Sequence, residues 1–137
     1  MSGNLPYQFA RLNMAERLIV INVAVFIVTS LLTFLLGLGD GFLAWFQLPQ
    51  DFFDFMLQPW SLITYSFLHS GFFHLFWNML LLYFTGRIFL NLFNAQRLLN
   101  VYFMGVIAGG LLFMLAYNVF PVFSGIRTAL IVASAGV

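Results

Sequence analysis

The sequence predicts an all-α polytopic membrane protein, in which a bundle of helices crosses the bilayer. Hydrophobic residues make up 63% of the 137 residues, whereas charged residues make up 7%. Soluble domains carry about 25% charged residues, so this composition excludes an ordinary water-soluble globule. Three predominantly apolar stretches have about the 20 residues that a membrane helix needs, and part of a fourth stretch follows them.

The first span is predicted over Leu18 to Leu36, an uncharged run that ends in the glycine-rich segment Gly37 to Gly41. The run is longer than the about 7 to 15 apolar residues of a cleavable signal peptide, and no small-residue cleavage pattern follows it. We therefore expect a retained membrane helix. Residues 1–17 are predicted to form an N-terminal tail, and residues 18–137 a membrane domain.

The segment from Asp40 to Trp60 alternates aromatic residues with aspartates and prolines. It is too polar and too interrupted by proline to span a bilayer, whereas its aromatic side chains favour the headgroup level. We predict that this segment lies in the membrane interface, where Trp60 acts as an anchor.

The second span is predicted from about Gly71 to Leu90, and the third from Leu98 to Tyr117. A loop follows as far as Arg127, and Thr128 to Val137 is predicted to begin a fourth helix. Its ten residues would cover about 15 Å of a membrane core that is about 30 Å thick. We therefore expect a membrane domain that is incomplete at its C-terminus.

The distribution of charge predicts the orientation. If the spans alternate in direction, most of the arginines lie on one side of the membrane, and the aspartates lie on the other side together with Arg127. The first group consists of Arg11, Arg17, Arg87 and Arg97, and the second of Asp40, Asp51 and Asp54. The positive-inside rule then places the N-terminus in the cytoplasm. We expect a multi-pass protein of a cell membrane, namely a bacterial inner membrane.

Composition also limits the partners. The formal net charge is +1 and the chain has no lysine, so we expect contact with the lipid bilayer and none with nucleic acid. The absence of cysteine excludes disulfides, thiolate metal sites and cysteine nucleophiles. His69 and His74 would lie roughly 140° apart around a helix, which is not a metal-binding face. No metal and no cofactor are expected.

His74 and Asn78 lie four residues apart in the second span, so on a helix their side chains are only about 40° apart. An unsatisfied amide or imidazole in hydrocarbon costs roughly 2 to 7 kcal/mol, so the pair needs a shared partner or a function. The pair is either an ordinary interhelical hydrogen bond or a set of oxyanion donors. Ser134 is flanked by alanines and is predicted to lie at a membrane depth similar to that of His74. It is either a packing residue or a nucleophile.

Taken together, several short motifs closely resemble the rhomboid intramembrane serine proteases. They are Pro59-Trp60, Phe67-Leu-His69, His74-Leu-Phe-Trp-Asn78, Gly86 and Ala133-Ser134-Ala-Gly136. The resemblance implies a six-helix rhomboid-like bundle, of which only helices 1–3 and the start of helix 4 are present here. It also implies that the substrates are transmembrane proteins, which are cleaved in or near their membrane segments.

The resemblance assigns roles to individual residues. Ser134 would be the nucleophile, and His74 and Asn78, with the Ser134 backbone N–H, would stabilise the oxyanion. His69 would be structural. The family's general base is a histidine on a sixth helix, beyond Val137, so this truncated chain is expected to be inactive by itself.

Besides the missing base, other positions also depart from the family pattern. Ser61 follows Trp60 where the family often has arginine, and Val132 stands where many members have glycine two residues before the nucleophile. Val132 and the missing base favour a catalytically inactive rhomboid-like protein that binds transmembrane clients. The polar set of His74, Asn78 and Ser134 favours the protease. A transporter is less favoured, because no acid or arginine lies at mid-membrane depth.

Overall fold

A computed structural model describes residues 4–38, 40–120 and 129–130 of the chain. In chain order these residues form α1 Leu5–Arg11, α2 Met14–Leu36, α3 Asp40–Ala44, β1 Leu48–Pro49, α4 Phe52–Leu57, α5 Ser61–Thr64, a 3₁₀ turn Tyr65–Phe67, α6 Phe72–Leu92, α7 Ala95–Val119 and β2 Ala129–Leu130. Among them α2, α6 and α7 are long and apolar enough to cross a membrane, with mean hydropathies of 2.6, 1.3 and 2.1. The all-α membrane class and the three predicted spans are confirmed.

The first membrane helix begins earlier than its apolar run. The Asn13 side chain accepts a hydrogen bond from the Glu16 backbone N–H, and the Glu16 carboxylate accepts one from the Asn13 N–H, both at 2.9 Å. This capping box satisfies backbone donors at the helix start, so α2 begins four residues before the predicted Leu18. Gly37 ends the helix in a left-handed conformation with φ 59°. The division between tail and membrane domain at residue 18 stays a prediction.

Small residues allow close helix contacts. A Cβ added to Gly86 of α6 would lie 2.6 Å from the Ala15 Cβ of α2. A Cβ added to Gly110 of α7 would lie 2.7 Å from Leu62 Cδ1 and 2.9 Å from Leu48 Cδ2. Such close approach gives membrane helices the van der Waals contact on which their association depends. The bundle therefore has α2 against α6, and α7 against the segment that contains β1 and α5.

The segment between α2 and α6 is folded without a long helix, since α4 has only six residues. The Trp60 Nε1–H donates to the Trp45 carbonyl oxygen at 2.7 Å, and the two indole rings stack with centroids 6.4 Å apart. The Gln58 amide donates to the carbonyl oxygens of Ala44 at 3.1 Å and Gln47 at 2.8 Å. The short helices of this segment agree with the prediction that it does not span the membrane. Its position in the membrane interface stays a prediction.

The predicted fourth helix is wrong at the two of its residues that the structure describes. Ala129 and Leu130 are extended and pair antiparallel with Pro49 and Leu48. Leu48 is completely buried, so this pairing lies against the hydrophobic core. A short apolar run fits a buried strand as well as a helix, and only the distant partner decides between them. The rest of the predicted helix, including Ser134, lies outside the described residues.

Candidate functional site

His74 and Asn78 lie in the first two turns of α6, which begins at Phe72 after the N-cap residue Gly71. Both side chains are partly buried. Their neighbours differ, however. His74 contacts the Leu68–Ser70 loop that precedes the helix, whereas Asn78 faces a cavity inside the bundle. The four-residue spacing therefore places His74 and Asn78 on the same side of α6. The surrounding elements give the two side chains different environments, a loop for His74 and a cavity for Asn78.

Ser70 determines which ring nitrogen of neutral His74 carries the proton. The His74 Nδ1 lies 3.4 Å from the Ser70 backbone nitrogen and 3.0 Å from the Ser70 hydroxyl oxygen. Because a backbone N–H can only donate, Nδ1 is the acceptor, and the single proton of the neutral ring is on Nε2. The described residues give His74 hydrogen bonds at Nδ1 alone. The Nε2–H is thus left as a donor.

His69 has the opposite tautomer. Its Nδ1 lies 3.3 Å from the Phe67 carbonyl oxygen, which can only accept, so the ring proton is on Nδ1 and Nε2 is an acceptor. The pKa of His69 is lowered to about 4, chiefly by burial; the bond to Phe67 opposes the shift, and nearby His74 adds a smaller lowering effect. The ring is therefore neutral at pH 7. Nε2 is buried and has no partner among the described residues.

The expected separation of the two histidines around one helix is wrong. His69 belongs to the loop before α6, and its ring meets the His74 ring edge to face with centroids 5.3 Å apart and planes at 60°. The helical angle of 140° assumed that the helix already included His69. Within the described ranges, no group of three or more histidine, aspartate or glutamate side chains is arranged to hold a metal ion.

Asn78 lines a cavity of about 400 Å³ between α2, α6, α7 and the Tyr65–His69 stretch. Its Nδ2 is buried without a partner among the described residues. Asn22 of α2 lines the same cavity and is 0% exposed. Asn22 was not among the predicted site residues, although a carboxamide inside an uncharged apolar run is the signal that marks a buried polar site in a membrane helix.

Ser134 and Val132 lie outside the described residues, so the convergence of Ser134 with His74 and Asn78 stays a prediction. The described part of the site offers two N–H donors on one side of α6, at His74 Nε2 and Asn78 Nδ2. Two such donors in a partly buried site are what an oxyanion of acyl transfer requires. The same donors are also able to hold a polar group of a bound membrane segment.

Comparison with protein families identifies a known domain. The model of the Rhomboid domain matches residues 56–136, which is more than half of the chain. The match begins within α4 and includes His69, His74, Asn78 and Ser134. No curated protein and no solved structure matched the chain. With its three membrane-spanning helices, the chain is a multi-pass membrane protein that belongs to the rhomboid family of intramembrane proteases and their inactive relatives.

Proposed function

We propose that this chain carries the nucleophile and oxyanion donors of an intramembrane serine protease, which hydrolyses peptide bonds in or next to membrane-spanning segments of other proteins. Ser134 is the nucleophile, and His74 and Asn78 stabilise the oxyanion. The hydrogen bonding of His74 supports this most strongly. Ser70 occupies Nδ1, so the ring presents Nε2–H as a donor, on the same side of α6 as the Asn78 Nδ2, which has no hydrogen-bond partner among the described residues.

In this mechanism the Ser134 hydroxyl oxygen attacks the carbonyl carbon of the substrate, and negative charge develops on the carbonyl oxygen. The His74 Nε2–H and the Asn78 Nδ2–H then donate to that oxygen. Donors aimed at this position contribute most when water is excluded, because the low dielectric strengthens the interaction with the developing charge. A ring held by Ser70 does not need to reorient during the reaction.

Neither histidine of the chain suits the general base. His74 uses Nδ1 to accept from Ser70, and a ring with the lowered pKa of His69 is a weak base near pH 7. The resemblance assigns the base to a histidine on a sixth helix, which is not among these 137 residues. Activity is measured on the protein as its own host cell produces it.

The test is cleavage of a model transmembrane substrate by that protein, reconstituted in lipid. Ser134→Ala should abolish cleavage. His74→Ala and Asn78→Ala should each lower kcat by about 100-fold or more, the effect of losing one oxyanion donor. Asn100→Ala is the matched control, since Asn100 is an exposed asparagine of α7 whose side chain, among the described residues, accepts a hydrogen bond from Gln96 alone.

Each outcome has a definite meaning. Cleavage by the Ser134→Ala variant would remove Ser134 from the role of nucleophile. Unchanged kcat in the His74 and Asn78 variants would make these two residues packing groups. Equal losses in those variants and in Asn100→Ala would indicate a general loss of folding.

The second candidate is a rhomboid-like protein that binds transmembrane clients without cutting them. Val132 favours it, because a branched side chain near the nucleophile occupies space that glycine leaves to the substrate backbone. A serine-reactive fluorophosphonate probe separates the candidates. Labelling that is lost in Ser134→Ala supports the protease. Stable capture of a substrate without labelling supports the client binder.

We also propose that the N-terminus is cytoplasmic and that the protein resides in a bacterial inner membrane. Helix positions support the proposed orientation, because the arginines flank the start of α2 and the α6–α7 connection, whereas exposed aspartates lie on α4 and at its N-cap. These residues are Arg11, Arg17, Arg87 and Arg97 on the first side, and Asp51 and Asp54 on the second. This arrangement follows the positive-inside rule.

A further inference from the structure

The short helix α1 has an apolar side that the described part of the protein leaves exposed. None of its residues is buried, and Leu5 and Phe9 are 81% and 37% exposed. These two side chains are four residues apart, so they project about 40° apart on one side of the helix. Tyr7 and Arg11 lie about 180° and 140° away from the middle of that side. The helix is therefore amphipathic.

Arg17 of α2 holds the end of α1 against the start of the first membrane helix. Its Nε–H donates to the Leu12 carbonyl oxygen at 3.0 Å, and its Nη2–H donates to the Ala10 carbonyl oxygen at 2.7 Å. Its guanidinium carbon lies 5.7 Å from the centroid of the Phe9 ring. The last carbonyl groups of a helix have no partner within it, and a cation there also complements the helix dipole. Arg17 thus fixes the C-terminal end of α1 relative to α2.

The position of Arg17 along α2 determines where α1 lies relative to the membrane. Arg17 directly precedes Leu18, where the uncharged run of this spanning helix begins. A guanidinium at that point lies at the level of the lipid headgroups, because a charge is costly in the hydrocarbon core. The seven residues of α1 extend only about 10 Å at 1.5 Å per residue. The whole of α1 therefore lies close to the membrane surface.

We propose that α1 is an interfacial anchor, which lies along the membrane surface with its Leu5 and Phe9 side in the lipid. Tyr7 and Arg11 then face the headgroups and water. A lipid surface fits this helix, because it buries the apolar side while the arginine interacts with the phosphates of anionic lipids. Seven residues are too few for a stable isolated helix. Attachment to α2 makes the contact with lipid intramolecular, so that a small apolar area is sufficient.

The anchor acts on the first membrane helix. Because Arg17 connects α1 to α2, movement of α2 along the membrane normal would pull Leu5 and Phe9 out of the lipid. The anchor thereby limits that movement. It also limits the movement of α6, which packs against α2 where Ala15 contacts Gly86. This inference goes beyond the proposed function, because the anchor takes part in no catalytic step.

The experiment is site-directed spin labelling of the full chain in vesicles of phosphatidylethanolamine and phosphatidylglycerol. The chain has no cysteine, so Leu5→Cys and Tyr7→Cys each carry a single nitroxide label. Tyr7→Cys is the matched control, because it places the same label on the other side of the same helix. Oxygen partitions into lipid, whereas a nickel chelate stays in water. The logarithm of the ratio of oxygen to chelate accessibility should be positive at residue 5 and below zero at residue 7.

Arg17→Gln in the Leu5→Cys background tests the link to α2. Loss of the guanidinium releases the end of α1, so the label at residue 5 should become more accessible to the nickel chelate. Arg97→Gln in the same background is the control, because the Arg97 guanidinium lies on α7, 5.6 Å from the centroid of the Phe93 ring. It should leave the accessibility of the label unchanged.

Three results would overturn the proposal. High accessibility to the chelate at both residue 5 and residue 7 would place α1 in water. Low accessibility to both reagents at residue 5 would show that protein, and not lipid, covers the apolar side. An unchanged label at residue 5 in the Arg17→Gln variant would show that Arg17 does not hold α1 at the membrane surface.

Discussion

Gly86→Ala tests whether the α2–α6 contact depends on the missing side chain. A Cβ at residue 86 would lie 2.6 Å from the Ala15 Cβ and 3.8 Å from the Ala15 Cα. Carbon atoms are most stable about 3.5 to 4.0 Å apart, so the two helices would have to separate by roughly 1 Å at this point. The Ala15 Cβ is attached directly to the backbone of α2, so no rotamer change relieves the overlap.

Two opposing terms determine the size of the effect. Forcing additional atoms into a packed contact costs about 1 to 3 kcal/mol, whereas alanine is favoured over glycine in a helix interior by about 0.8 to 1.0 kcal/mol. Gly105→Ala in α7 isolates the second term, because a Cβ at residue 105 meets no atom within 4 Å. The difference between Gly86→Ala and Gly105→Ala is therefore the packing term alone, about 1 to 3 kcal/mol.

The measurement is equilibrium unfolding by SDS in mixed micelles, followed by circular dichroism. A difference of about 1.4 kcal/mol corresponds to a tenfold change in the unfolding equilibrium constant, which such a titration resolves. Ala15→Gly in the Gly86→Ala background removes the opposing Cβ, so the double-mutant cycle should show a favourable coupling energy. Equal stability of the Gly86→Ala and Gly105→Ala variants, or no coupling to Ala15, would refute the close helix contact.

Two further predictions concern pH and orientation. Because burial lowers the pKa of His69 from 6.5 to about 4, the unfolded state binds more protons between these values, so the free energy of unfolding falls as the pH drops from about 6.5. The slope of the free energy of unfolding against pH is below about 1.4 kcal/mol per pH unit, because the ring is only half-buried. His69→Phe should flatten this slope in SDS titrations at pH 5 and pH 7. Equal slopes in the original chain and in His69→Phe would contradict the prediction. The chain has no cysteine, so Asn4→Cys and Asp54→Cys are each single-cysteine variants. A membrane-impermeant maleimide applied to intact cells should label Asp54→Cys alone, and the reverse result would invert the orientation.

The number and approximate position of the spans were predictable because the bilayer fixes the length of an apolar helix. The helix ends were less so, since hydropathy locates the hydrocarbon core and not the limits of the helix. Asn13 and Glu16 form a capping box that the sequence already contained, and this signal would have placed the start of α2 correctly. The pairing of Leu48 with Leu130 had no local signal, because it joins residues distant in the chain.

The candidate site was predictable only in part, for a geometric reason. Spacing along α6 shows that His74 and Asn78 share a side, but their partners come from other elements. The contact between Ala15 and Gly86 defines how α2 and α6 are aligned along their lengths. From that contact Asn22 lies seven residues along α2 and Asn78 eight residues back along α6, which is about 10 Å and 12 Å at 1.5 Å per residue. Because α6 runs back past α2, two turns on each helix bring the two asparagines to the same level, and one helix contact is sufficient to explain why they line one cavity.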